Sequence, residues 1–402
     1  MNSRRFAPAA LTCFAFMGST MITPLYALYS SAFHFSEAVL TFIYATYVVG
    51  TIAALLFFGK LSDEAGRRRV SVFALALCIA AALLFLFAGS TLWLFLARLL
   101  SGLAVGLASG TGTAWLADQY DQRQRRNATQ AATYSNLAGA AIGPIFAGAI
   151  AQYVSAPLRL PFIIYIGILL GVSAAVLFTP ETVSKLKRLR DVSLRPQIAV
   201  PKEIRAQFIT PAITAFVIWS LAGFYFALLP SVLRHDLHLP NLAVAGAVVF
   251  EMSVAAIIGV AVTTRVASST AMVSGLVLIV PSVIVLVAAQ AFTSMPLVLL
   301  GSAIAGVALG AGYRGSLQVV NEIAPADRRA AVISAYFIAC FIGNSIPVIS
   351  VGLLTQFVNG LVASAVFAAV IAVFALSAVI LRYRKTPSTL RSATLPFKAM
   401  QD

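Results

Sequence analysis

The sequence predicts an all-α membrane protein, with twelve transmembrane helices in two pseudo-symmetric six-helix bundles. Three observations carry this. The chain is 60% hydrophobic and 10% charged over 402 residues, and its mean hydropathy is +0.94. A fold in water needs more polar surface than that. The apolar residues fall in repeated runs of roughly 20, the length a helix needs to cross a bilayer while satisfying its own backbone. Positive charge is concentrated in alternate gaps between the runs. The alternating segments of about ten residues that mark a β-barrel do not occur.

The runs fall near 8–33, 36–59, 70–89, 92–117, 128–153, 161–180, 208–233, 242–264, 268–290, 294–320, 330–357 and 361–382. Arg4 and Arg5 lead into the first, as in a signal peptide. That run continues to about Phe33, too long for a signal's apolar region, so it is read as the first span. The long polar interruption at 181–207 carries Lys185, Lys187, Arg188, Arg190, Arg195, Lys202 and Arg205, with Pro180, Pro196 and Pro201 discouraging a continuous helix. The expected organisation is an N-terminal bundle at 1–180, a basic linker at 181–207, a C-terminal bundle at 208–384 and a tail at 385–402.

With both termini cytoplasmic, loops and tails on that side hold 24 of the 28 Lys and Arg; the exceptions are Arg98, Arg159, Arg234 and Arg314. The bias sets the orientation. The net charge of +15 is then a topology signal with attraction to anionic lipid headgroups, and no nucleic-acid partner is expected. Cys13, Cys78 and Cys340 lie inside apolar runs as small core residues. His34, His235 and His238 fall in outer loops, too shallow for a metal pathway. No phosphate-cradling loop occurs, which argues against an ATP-driven pump. The expectation is a monomer in a bacterial inner membrane that is not an enzyme and has no metal, cofactor or catalytic group.

The halves echo each other at a shift of about 200 residues: Tyr26-Ala27-Leu28 with Phe226-Ala227-Leu228, Gly59 with Gly259, Gly102 and Gly106 with Gly306 and Gly310, Asp118 with Glu322, Gly139 with Gly343. Arg125-Arg126 matches Arg329-Ala330 in part. Transporters built from such repeats place a site between two bundles that rock against each other.

Charges inside the spans are costly and point to function. Glu251, mid-span in VVFEMSVAA, is the one carboxylate deep in any span. It is the candidate proton carrier, with Arg98 and Arg314 as its expected partners. Arg98 is read either as holding an anionic group or as tuning a proton-carrying carboxylate. Arg314 is read either as binding substrate or as gating the inner mouth by meeting Glu322. Tyr26, Asn136, Trp219 and Tyr225, with Glu251 and Arg314, form the candidate substrate set, since pockets are mostly apolar with a few placed polar groups.

The densest charge in the first 120 residues is Gly59-Lys-Leu-Ser-Asp63-Glu-Ala-Gly66-Arg67-Arg68-Arg69, read as a short loop between spans. Gly59 would let another helix approach. Asp63 would cap a helix or pair with an Arg. Gly66 would take positive φ. With twelve spans and a basic central loop, this stretch resembles the signature G-x-L-x-D-x-x-G-R-[RK]-[RK] of the major facilitator superfamily, and the likeness covers nearly the whole chain. Arg98-Leu-Leu-Ser-Gly102 is similar to that family's R-x-x-x-G element. Gly139-Ala-Ala-Ile-Gly143-Pro144-Ile-Phe-Ala147-Gly148 resembles its antiporter motif, with Ala147 for one glycine and Gln130 where the long form has another.

The resemblance, to the twelve-span drug/proton antiporter branch, implies a secondary active transporter. It would export small amphipathic molecules in exchange for protons by alternating access. The loop would act as an inner latch through Gly59, Asp63, Gly66 and Arg67, with Asp118 as partner. The matching stretch at Gly259–Ser269 has Thr263 where Asp63 sits and lacks the arginine triplet, so the latch is expected to be single-sided. The first span lacks the acidic residue many members carry there, leaving proton coupling to Glu251 with Arg98. The alternative is a carrier for a small organic anion clamped by Arg98 and Arg314.

Overall fold

The computed structural model describes residues 3–59, 61–120, 125–184, 186–187, 198–325 and 328–384. Lys185, Arg188, Arg190, Arg195 and Pro196 of the linker, the tail at 385–402, and the side chains of Arg125 and Arg126 lie outside the described residues. Twelve helices are long and apolar enough to cross a membrane, and no strand occurs among the described residues. The chain is an integral membrane protein.

The first span is α1 (Ser3–Thr20) and α2 (Ile22–Phe33), interrupted at Met21. α3 (Glu37–Phe58) starts at Ser36, whose Oγ accepts from Val39 N at 3.4 Å. Next come α4 (Leu61–Ala65), α5 (Arg67–Leu86), α6 (Thr91–Asp118), α7 (Arg125–Tyr153) and α8 (Leu160–Phe178). A 3-10 turn at Lys202–Ile204 leads into α9 (Arg205–Ala227), followed by the short α10 (Leu229–His235). α11 (Leu242–Val262) is capped by Asn241, whose Oδ1 accepts from Val244 N at 3.1 Å. α12 (Ser268–Ala291), α13 (Met295–Ile323), α14 (Arg329–Leu354) and α15 (Gly360–Arg384) complete the chain.

Several helices start ahead of their apolar runs: α5 begins at Arg67, α7 at Arg125 and α9 at Arg205, each three residues early. The seventh span ends sooner than the run at 208–233, because the chain turns after Ala227 and α10 takes over.

The internal echo is a repeat of packing. A Cβ on Gly102 would overlap the Tyr47 carbonyl, so α6 lies directly on α3; a Cβ on Gly306 would overlap the Met252 carbonyl, so α13 lies on α11 in the same way. Small residues at these crossings give the close approach that lipid-embedded helices use in place of a hydrophobic drive.

Bonds joining the first six spans to the last six gather at one face. Tyr44 OH donates to Asn344 Oδ1 at 3.0 Å. Arg234 Nη1 donates to Ser31 Oγ at 3.2 Å, and Leu242 N to Gln152 Oε1 at 2.9 Å. All three lie toward the face opposite the Gly59–Arg69 stretch, which sits on the basic face.

Candidate functional site

The basic face is organised by Arg67. Its Nε donates to Asp118 Oδ2 at 3.1 Å, its Nη1 to Ser62 Oγ at 2.7 Å, and it forms an ion pair with Asp63 four residues earlier. The stretch is not the open loop expected from sequence. Asp63 lies in the helical turn α4, and the three arginines are the first turn of α5. An arginine triplet is an unfavourable start for a helix dipole, and Gly66 offers no side-chain cap.

Glu181 supplies the missing cap from 114 residues away: Oε1 accepts from Arg67 N at 2.9 Å and Oε2 from Arg68 N at 3.0 Å. Gly66 makes this possible. Its φ is +105°, and a Cβ there would come within 2.6 Å of Glu181 Oε2 and 2.9 Å of Leu186 Cδ2. Thr182 Oγ1 donates to Asp118 Oδ2 at 2.7 Å. Lys187 N donates to Glu64 O at 2.8 Å, and its Nζ meets Glu64 Oε1 at 3.1 Å. The start of the linker is therefore strapped across the signature stretch.

Sequence reasoning missed Glu181; a lone carboxylate straight after Pro180, at the end of an apolar run, was the available signal. Glu181→Ala should cost about 1 kcal/mol and lower the thermal midpoint of the detergent-solubilised protein, while Glu181→Gln, which keeps an acceptor, costs less.

Gly59 departs from its expected role. Among described atoms, a Cβ there would meet just the Leu55 carbonyl of its own helix, so no neighbouring helix needs the space. Its counterpart Gly259 does lie against another helix, with Val307 O at 2.6 Å from a Cβ.

Inside the first six spans, Arg98 on α6 is 1% exposed. Its Nη1 donates to Ser19 O at 2.8 Å, and its guanidinium lies 4.7 Å from the Tyr47 ring centroid and 5.3 Å from that of Tyr44. Tyr44 in turn bonds Asn344 on α14. Asn344, 3% exposed, went unnoticed in the sequence because a single Asn in an apolar run has no signature.

Glu251, near the middle of α11, bonds neither arginine expected for it. Ser302 on α13 donates to Glu251 Oε2. Arg98 belongs to the other set of spans. Arg314 lies twelve residues beyond Ser302 on α13, about 18 Å along a helix, and its Nη2 donates to Thr264 O at 3.1 Å. Nor does Arg314 meet Glu322, whose Oε1 accepts from Ser268 Oγ at 2.7 Å and Gln318 Nε2 at 3.3 Å.

The candidate substrate residues are more buried than an open pocket requires. Tyr26 is 1% exposed and Tyr225 fully buried. Trp219 packs edge-on to Tyr313 at 5.9 Å. The Asn136 Oδ1 is buried on α7 without a partner among the described residues. A cavity of about 330 Å³ lies elsewhere, at the face opposite the basic one, where Glu37, Phe224 and Asp236 are among its lining.

The glycine motif on α7 serves two neighbours. Cβ atoms on Gly139 and Gly143 would overlap α1, at the carbonyl of Cys13 and at Thr20 Oγ1. A Cβ on Gly148 would overlap the Leu242 carbonyl, and one on Gly246 the Pro144 carbonyl. One end of the motif thus seats α7 within its own set, and the other seats it on α11 across the divide.

Twelve helices in two matched sets, with ionisable groups inside them, define a membrane transporter. The model of the Major Facilitator Superfamily matches residues 9–347, and the chain belongs to that family. It is 41% identical over 91 residues to "Multidrug resistance protein MdtL" of Escherichia coli O139:H28 and to the same-named protein of Shigella boydii serotype 18. The match covers 22% of this chain and 23% of those relatives. Among solved structures it is similar to a bacterial homologue of the human lysosomal transporter Spinster, inward-facing and unoccupied. The TM-score is 0.67 at 16% identity, covering 96% of this chain and 100% of that one; this likeness shows the fold.

Proposed function

We propose that this transporter exports small amphipathic molecules in exchange for protons, by alternating access. Residues 1–180 and 208–384 move as two bundles about the linker. The placement of Glu251 carries the reading. It is a carboxylate in a membrane span that takes a hydroxyl from Ser302 and, among the described residues, joins no ion pair. A carboxylate held by a neutral partner is free to gain and lose a proton as its access changes, as an exchanger needs. The name of the partial relatives supports the class of cargo.

The charge bias supports a reading with the basic face and both termini in the cytoplasm, and the bacterial relatives support an inner membrane. The inter-bundle bonds then close the outer mouth, and the Arg67 cluster lies at the inner one. The protein works as a monomer without a cofactor. The test is accumulation in proteoliposomes with an acidic lumen, using amphipathic dyes of both charges. At least one should accumulate while the gradient lasts and leak out when nigericin collapses it. Uptake indifferent to the gradient for every dye overturns the proton coupling.

A further inference from the structure

Arg98 is a cation inside a membrane span that forms no ion pair among the described residues. Its bonded and stacked neighbours, Ser19, Tyr44 and Tyr47, are neutral. The first span, Ser3–Phe33, contains no Asp or Glu to balance it. Glu251 is engaged by Ser302 in the other bundle. Two donors are left over. Among the described residues the Nε–H of Arg98 has no acceptor and the hydroxyl of Tyr26 has no partner, although both residues are 1% exposed; Tyr26 lies seven residues along the first span from Ser19, whose carbonyl accepts from Arg98. Buried donors are almost always satisfied, and a desolvated guanidinium is expensive without an anion. Two orphaned donors beside one uncompensated charge point to an acceptor that arrives and departs.

We propose that Arg98 and Tyr26 form an anion-accepting subsite that takes the carboxylate of an amphipathic substrate, with the rings of Tyr44 and Tyr47 flanking its apolar body. This rests on the exporter reading and deepens it by assigning the substrate's charge. A monoanion suits the site, because one guanidinium among neutral aromatics can balance one charge and no more. The subsite also touches the contact that holds the outer mouth shut. Tyr44 lies under the Arg98 guanidinium and bonds Asn344 across the divide at 3.0 Å. A ligand that draws Arg98 off the Tyr44 ring acts directly on that bond. Charge counting adds a signature. Exchange of one inward proton for one outward monoanion moves two positive charges inward per cycle; a neutral substrate moves one, and a monocation moves none.

The test uses three probes with one apolar body: 2-naphthoate, its neutral amide, and 2-naphthylmethylammonium. Flux is measured in proteoliposomes under valinomycin-clamped potentials, and binding to the purified full-length chain by tryptophan quenching, both in a chloride-free, carboxylate-free sulfate medium with chloride added as a separate binding probe. The expected result is preference for naphthoate, with flux accelerated by potential more steeply than for the amide. Tyr26→Phe should weaken naphthoate binding about tenfold and Arg98→Gln about a hundredfold or more, in line with loss of hydrogen bonds to a charged group. The weak binding of the amide, whose carbonyl takes the same donors without a charge, should fall much less than that of naphthoate, and Arg98→Lys should retain part of the naphthoate affinity.

Equal handling of the amide or the ammonium by the wild-type chain overturns the subsite, as does a Tyr26→Phe effect equal for all three probes. Chloride binding without naphthoate binding overturns the substrate assignment in favour of an inorganic ion. The two readings fail separately. If a dye cation accumulates on the pH gradient while naphthoate neither binds nor moves, the exporter stands and the subsite falls. If no probe of any charge moves, the exporter reading falls, and naphthoate binding alone decides the subsite.

Discussion

Replacing Glu251 with Gln is expected to abolish accumulation driven by a pH gradient while leaving exchange of labelled for unlabelled substrate intact. Gln has nearly the volume of Glu and keeps an oxygen for the Ser302 hydroxyl, so the α11–α13 contact survives. It removes the one property no neighbour can replace, the capacity to bind and release a proton inside the membrane. Gradient-driven uptake should fall about a hundredfold, toward the lower end of what a positioned proton-transfer group contributes. Exchange, which needs the bundles to alternate but no net proton movement, should change little and lose its dependence on pH. Ser302→Ala is the companion variant. It leaves the carboxylate without its described donor, so the pH profile of uptake should shift while a gradient response remains. Accumulation by Glu251→Gln at the wild-type level would move the proton site elsewhere, with Tyr225, fully buried on α9, the first residue to test.

The spans were legible in the sequence because lipid leaves the backbone no alternative: each crossing must be a helix of about the same length. The Arg67 cluster was legible because its charges stand out in an apolar chain and Asp118 ends an apolar run on the same face, although the helical form of the stretch was not. The partner of Glu251 was not. Ser302 lies 51 residues away on α13, and its hydroxyl also reaches Leu299 O of its own helix at 3.0 Å, as Ser253 reaches Val249 O at 2.9 Å, so a serine in a span carries no sign of a distant partner. The two intramembrane arginines drew attention as natural counter-charges, yet one belongs to the other bundle and the other sits too far along α13. The Glu181 cap and the Tyr44–Asn344 bond share this character. Each depends on helix placement, which hydropathy does not encode. Gly59 shows the converse. Its place in a sequence pattern suggested close packing that α3 does not need at that point.

Arg67→Gln is expected to cut turnover by an order of magnitude or more while shifting the substrate KM by less than about twofold. The Arg67 side chain is 10% exposed and lies between Asp63, 56% exposed, and Asp118, 33% exposed. Removing it leaves two carboxylates facing each other with no cation between them. Breaking a buried pair from one side costs about 3–5 kcal/mol, and the exposure of both acids reduces this to about 1–3 kcal/mol. With the cluster taken as the inner latch, the loss is expected to fall on one conformational state, while Arg98, Tyr26 and Glu251 lie within the spans and away from it. The substrate groups are untouched, so affinity holds while the interconversion of states slows. The two acids should not be equivalent. Asp118 also accepts from Thr182, which ties it to the linker, so Asp118→Asn should impair turnover more than Asp63→Asn, whose side chain is mostly in solvent. Paired cysteines reporting inner-mouth distance by spin labels would show a changed ratio of open to closed populations in Arg67→Gln. A large rise in KM with normal turnover would assign Arg67 to the substrate path and remove the division of labour between the cluster and the intramembrane groups.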